Sequence, residues 1–240
     1  MTIAGPGPLL SPLYNYSNRS AVAKANPHPK HHLRGTALPL VLLMTDDRRL
    51  ANPEAAIGRL PPGSAVIFRH YDAPDRLTVA RWLKHVCCRH NVHFLVAADP
   101  RLAVAVRADG LHLPEPLLRQ GSRRWRRWRR RRWLVTAAAH SPSAIRRAAS
   151  AGVDAVLVSP VFATASHPDA VTLGVLRFAR LCRTAPVPVY ALGGVGVHTV
   201  IRLKGVHISG IAGISGLDEA ARTRCVRALR FPRRVRHCGP

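Results

Sequence analysis

Between residues 38 and 217 the chain alternates short apolar runs with amphipathic stretches, and the runs recur eight times. They are Leu40–Met44, Ala65–Phe68, His93–Ala97, Gly110–Leu113, Trp133–Ala138, Ala155–Val158, Val187–Leu192 and Ile211–Ile214. Most are rich in Val, Ile and Leu, as strands covered on both faces must be. The intervening stretches carry helical spacing. Asp75–Arg89 sets Leu77, Ala80, Leu83 and Cys87 on one face, and Ser141–Ala151 opens on Ser-Pro, a cap followed by proline at the first helical position. Asp169–Arg183 and Leu217–Leu229 have the same character. Parallel strands need crossover connections, and these are right-handed, so eight strand–helix units predict an α/β fold, a (β/α)8 TIM barrel. An open doubly wound sheet shares the alternation, but it calls for a Gly-x-Gly-x-x-Gly after the first strand, and none stands there.

The barrel is expected over residues 38–230. Residues 1–37 are rich in Pro, Asn, Ser and His, contain no Asp or Glu, and show no apolar period, so a disordered tail is expected. A basic C-terminal tail is expected over 231–240. No run is long enough to span a bilayer or to form the apolar centre of a secretory signal. The five cysteines have no regular spacing, which fits reduced thiols and a cytoplasmic protein. His85-x-Cys87-Cys88-x-His90 lacks the paired Cys-x-x-Cys of structural zinc sites, so buried thiols on a helix are expected there.

In a barrel of this kind function sits on the loops that follow the strands. After the seventh strand the chain reads Ala191-Leu192-Gly193-Gly194-Val195, and after the eighth Gly213-Ile214-Ser215-Gly216. Glycines there let backbone N–H groups approach an anion, and barrel phosphate sites are commonly built from these two loops. The loop after the sixth strand, Ser159 to Pro168, gathers Thr164, Ser166 and His167 between prolines.

Five ordered motifs give these loops a family likeness. Asp109-Gly110-Leu111-His112-Leu113, Ala139-His140-Ser141, Ser159-Pro160-Val161-Phe162 with Thr164-x-Ser166-His167-Pro168, Leu192-Gly193-Gly194-Val195, and Gly210-Ile211-Ala212-Gly213-Ile214-Ser215 together resemble the thiamine phosphate synthase and TenI (thiazole tautomerase) family, as does Thr45-Asp46. The resemblance implies thiamine biosynthesis, with small phosphorylated thiazole and pyrimidine substrates. A synthase of this family joins hydroxymethylpyrimidine diphosphate to thiazole phosphate, releasing pyrophosphate with help from Mg²⁺. It also implies roles for residues. Thr164 and Ser166 would contact thiazole or diphosphate, His167 would stand where synthases carry Lys, and Gly193, Gly194, Ile214 and Ser215 would hold the thiazole phosphate. In tautomerases of this family a His after strand five moves a proton on the ligand, and His140 occupies that position.

Other positions depart from the family pattern. Ile67-Phe68-Arg69-His70-Tyr71 keeps the Arg expected to bind the pyrimidine diphosphate, Arg69, but not its Gln and Lys neighbours. Ala97-Ala98 stands where an Asn-Asp pair is expected, and Leu117 where an Asp is, which leaves Asp99 and Glu115 as the nearest acids. Mg²⁺ usually takes one or two carboxylates plus substrate oxygens, so its implied ligands are largely missing. Three readings follow: a synthase, a tautomerase working through His140, and a barrel that binds a phosphorylated ligand without turnover.

Net charge is +25, and residues 123–132 hold eight of the arginines. Arg123 to Trp133 is expected within the fourth helix of the barrel, with Trp125 and Trp128 sharing a face three residues apart. The tryptophans would pack on the barrel and the arginines would be solvated. Basic residues interleaved with aromatics also suit contact with a polyanion or an anionic membrane surface.

Overall fold

The computed structural model describes residues 38–47, 49–121, 123–164 and 171–214. The expected N-terminal tail, the helix over 217–229 and the basic C-terminal end lie outside these residues. Each apolar run forms a parallel strand: β1 Val41–Met44, β2 Ala65–Phe68, β3 His93–Ala97, β4 Gly110–Leu113, β5 Leu134–Ala139, β6 Ala155–Val158, β7 Val189–Leu192 and β8 Gly210–Gly213. The strands pair in chain order, and β8 returns to β1 through Val41↔Ile211 and Leu42↔Ala212, so the barrel is closed. Between them run α1 Pro53–Gly58, α2 Arg76–Arg89, α3 Pro100–Ala105, α4 Glu115–Arg119, α5 Arg123–Arg126, α6 Pro142–Ser150 and α7 Gly174–Thr184. A 3-10 turn, Val200–Leu203, lies between β7 and β8.

Local chemistry sets the helix starts. Asn52, Asp75, Asp99 and Ser141 are N-caps whose side chains accept first-turn amides from Ala55, Thr78, Arg101 with Leu102, and Ala144. Pro53, Pro100 and Pro142 follow three of these caps, where the missing N–H costs nothing. On α2 the inner face is Val79, Ala80, Leu83, Val86 and Cys87, with Leu77 half-buried at its edge.

Alternation along the strands sorts two cores. Leu42, Ile67, Leu95, Leu157 and Tyr190 fill the barrel, while Leu43, Val66, Phe68, Phe94 and Val96 face the helices. The Tyr190 hydroxyl donates to the Pro39 carbonyl at 2.6 Å. Gly210 is required beside it, because a Cβ there would strike the Tyr190 ring and the Leu40 backbone.

Two acids pin the strands from their N-terminal ends. Asp109 accepts the Phe94 amide at 2.7 Å and Lys84 Nζ at 2.6 Å, tying β3 to β4 and α2. Asp154 accepts the Val135 amide at 2.7 Å and Arg129 at 3.0 Å, tying β5 to β6.

Arg129 belongs to the Arg-Trp run, and the run is not the helix expected of it. Only Arg123–Arg126 is helical, and Trp128 lies in the turn that follows. The reason is local: Trp125 and Trp133 are both buried, and Arg129 is drawn to Asp154 and the Gly152 carbonyl, so the chain must turn between them. Trp128 is half-buried between the Arg101 and Arg127 guanidinium groups, each 5.7 Å from a ring centroid.

Candidate active site

At the C-terminal ends of the strands the loops enclose a cavity of about 720 Å³, within the range of roughly 300–1,000 Å³ usual for small-molecule sites. Met44, Arg69, His112, His140, Thr164, Gly193, Gly194 and Ile214 all line it, so residues from many separate loops converge. Of the residues expected at the site, Arg69, His140, Thr164, Gly193, Gly194 and Ile214 are therefore brought together. Ser166, His167 and Ser215 lie outside the described residues.

The side formed by β4 and β5 carries a carboxylate–histidine pair. The register Leu113↔Ala137, carried two residues past the end of β4, sets Glu115 level with Ala139 and so beside His140. Glu115 Oε2 lies 2.7 Å from His140 Nδ1 and accepts the His140 amide at 3.3 Å. Its other oxygen accepts from Arg119 at 2.8 Å and from Arg147 of α6 at 3.3 Å. Burial pushes the Glu115 carboxyl upward, but the hydrogen bonds from Arg119 and His140 and their charges outweigh it and hold it down at about 2. Glu115 is thus an ionised acceptor, and its bond to Nδ1 assigns the proton of a neutral His140 ring to that nitrogen. Nε2 has no partner among the described residues, and the ring is half exposed into the cavity.

The β2 side is cationic. The Arg69 amide donates to the buried Thr45 hydroxyl at 3.0 Å, while its guanidinium pairs with no acid among the described residues. His112 is buried, bonded through Nδ1 to Thr136 at 2.9 Å. Burial first, and the Arg69 charge second, push the His112 imidazole down to about 3, so it is neutral. Arg49 also lines the cavity, held by Asp46 at 2.8 Å.

Opposite lie the glycine loops. Gly193 and Gly194 have φ of +90° and +63°. A Cβ on Gly193 would meet Pro160, and one on Gly194 would collide with Phe162 and Ala163. The loops after β6 and β7 are zipped by Val161 N–H to Leu192 O and Phe162 N–H to Gly193 O, both 3.0 Å. Thr199 closes the second loop, donating to Gly194 O at 2.7 Å and accepting the Gly196 amide at 2.8 Å. The double glycine serves this close packing as well as any ligand, and it leaves backbone at the cavity wall.

The residues do not fit the Mg²⁺ implied by the family. Asp99 caps α3 and takes Arg76 at 3.2 Å, and Glu115 is committed to His140 and two arginines. Among the described residues no group of three His, Cys, Asp or Glu is placed to hold a metal ion.

A closed parallel barrel with a cavity at the strand C-termini and a double-glycine loop after β7 is the architecture of a (β/α)8 barrel, whose candidate ligand site lies on the loops after the strands. Residues 42–217 match the family model described as thiamine monophosphate synthase, and the chain belongs to that family. It is 34% identical over 206 residues to the thiamine-phosphate synthase of Thermosynechococcus vestitus, covering 80% of this chain and 55% of that protein. It is 31% identical to the thiamine-phosphate synthase of Synechococcus sp. strain WH7803, covering 88% and 62%. The chain thus spans a little over half the length of these relatives. A solved thiamine phosphate pyrophosphorylase from Pyrococcus furiosus superposes with a TM-score of 0.64 at 21% identity, over 81% of this chain and 98% of that one, and shows the shared fold.

The sequence reading missed the partnership of Glu115 with His140, the two arginines behind it, and Thr199. Strand alternation alone carried a signal for the first: an acid two residues past the end of β4 and a His just past the end of β5 must be neighbours in a parallel pair. Arg147 lies a helix away and carried no such signal. Among the described residues no helix is long and apolar enough to cross a membrane.

Proposed function

We propose that this protein is a thiamine-biosynthesis enzyme that binds a thiazole phosphate in this cavity and moves a proton on it through His140. The observation that carries the reading is the Glu115–His140 bond, which engages Nδ1 and leaves Nε2 without a partner among the described residues, on a ring that lines the same cavity as the glycine loops. The ligand phosphate is assigned to the backbone of Gly193, Gly194 and Ile214, where fixed N–H groups make charge-assisted bonds. Thr164 lines the same cavity. Arg69, a cation with no acid partner among the described residues, suits a ligand carboxylate. Nε2 then accepts a proton from one ligand atom and returns it to another, so the enzyme ends each cycle unchanged.

A second reading, coupling of thiazole phosphate to hydroxymethylpyrimidine diphosphate with release of pyrophosphate, is favoured by the names of the relatives. Calorimetry with thiazole phosphate, followed by separate tautomerisation and coupling assays with Mg²⁺ present, decides between them. Saturable binding with proton exchange that is lost in His140→Asn is the expected result. No binding at millimolar ligand sinks the site assignment, coupling without exchange selects the second reading, and binding with neither reaction marks a barrel without turnover. At the other end of the barrel, Arg126, Arg127, Arg130, Arg131 and Arg132 are exposed and pair with no acid among the described residues. That face suits salt-sensitive contact with a polyanion.

A further inference from the structure

We infer that Glu115 is the positioning residue of His140, held as a charged acceptor by Arg119 and Arg147 so that His140 keeps a single tautomer with Nε2 as its free nitrogen. The inference rests on the proton-transfer reading for its kinetic consequence, but its structural content stands without it.

An imidazole at a strand end has two neutral tautomers and can turn about its side-chain bonds, and only one arrangement presents an unprotonated nitrogen to the cavity. Glu115 removes the choice. Its Oε2 takes Nδ1 at 2.7 Å and the backbone amide of the same residue at 3.3 Å, so one oxygen fixes both the ring and the main chain that bears it. A carboxylate with only 8% of its side chain exposed holds that place only if its remaining lone pairs and its charge are answered. Oε1 is answered twice, by Arg119 one turn along α4 and by Arg147 from α6. The two arginines come from separate elements, so Glu115 cannot follow one helix without breaking from the other. Among the described residues the other charged groups at the cavity, Arg49 and Arg69, follow β1 and β2, and His112 of β4 is neutral. This arrangement also accounts for the acid left after β4: it orients a base rather than holding a metal.

Nitrogen-15 NMR of the full chain labelled at histidine tests this, with the His140 signals assigned by their loss in His140→Asn. In its uncharged form, the wild-type His140 should be protonated at Nδ1 alone. Glu115→Gln should show a mixture of tautomers, and Glu115→Asp, which keeps the acceptor, should restore part of the single form. In the proton-transfer assay Glu115→Gln should lose roughly 10–100-fold in kcat, the size usual for an outer partner that orients a histidine, with KM little changed. A wild-type His140 that is protonated at Nε2, or already a mixture, overturns the inference even if Glu115 variants fail to fold. An unchanged tautomer in a folded Glu115→Gln overturns it equally. A fixed Nδ1–H tautomer without turnover of thiazole phosphate upholds the inference and sinks the proton-transfer reading instead.

Discussion

Two buried titratable groups at the barrel mouth, His112 and Glu115, are stable in opposite charge states, and both make the fold sensitive to acid. His112 is neutral inside, lowered from an ordinary 6.5 to about 3 chiefly by burial. The unfolded chain takes up its proton below 6.5 and the folded one does not, so this contribution is complete above 6.5 and is lost as pH falls toward 3. Glu115 is lowered from 4.5 to about 2, so its contribution is present above 4.5 and lost as pH falls through 2. The histidine therefore acts first. His70, also lowered chiefly by burial, acts in the same direction. The urea midpoint of the wild type should fall between about pH 7.5 and about pH 5, and His112→Asn should show a shallower fall. An equal fall in both proteins would remove His112 from this account. The carboxylate window lies lower, so the two groups can be separated by extending the series toward about pH 3.

At the scale of elements, the acids before β4 and β6 do the same work in two places. Asp109 and Asp154 each sit one position before a strand, accept the amide of the preceding odd-numbered strand, and pair with a cation, Lys84 or Arg129. Removing either carboxylate strands a strand amide, so Asp109→Ala and Asp154→Ala should each cost about 1–3 kcal/mol by chemical denaturation, with Asn in the same places costing less. Equal losses for Ala and Asn would show that the hydrogen bond is not what is being lost. These elements also mark how far the sequence can be read. The strands were legible because burial on both faces writes a continuous apolar run, and one helix start because Ser141 stands before a proline; Asn52 and Asp99 cap two further helices in the same way. The glycine loops were legible because they follow strands seven and eight, whereas His140 came into view only through the family resemblance. The Arg-Trp run was misread as continuous helix. Its spacing fits one, but Asp154 and the buried Trp125 and Trp133 are answered across space, and a local period cannot report them. The commitment of Asp99 and Glu115 was hidden for the same reason, since Arg76 and Arg147 reach them from other helices.

For the whole molecule, the net charge of +25 divides into a part built into the fold and a part left over. Lys84, Arg76, Arg129 and Arg147 each answer an acid, whereas the exposed arginines before β5 answer none among the described residues. They stand at the N-terminal end of the barrel and the cavity at the C-terminal end. The four residues of β6 alone separate the two ends by roughly 13 Å at about 3.3 Å per residue, beyond a Debye length of about 8 Å at physiological salt. The two ends should therefore be independent. Replacing Arg127, Arg130, Arg131 and Arg132 with Gln should weaken retention on DNA or heparin. The slope of log affinity against log salt should fall by roughly 3.6 if all four arginines contact phosphates, since each contact contributes about 0.9. Thiazole phosphate binding should stay within about twofold, because screened charges at that distance contribute little. Arg129, Trp125 and Trp133 must be kept, because deleting the run would remove the Asp154 pin and confuse unfolding with lost contact. An unchanged salt slope in the folded variant would show that the exposed arginines are solvated and contact nothing, and a parallel loss of ligand binding would show that the two ends of the barrel are coupled after all.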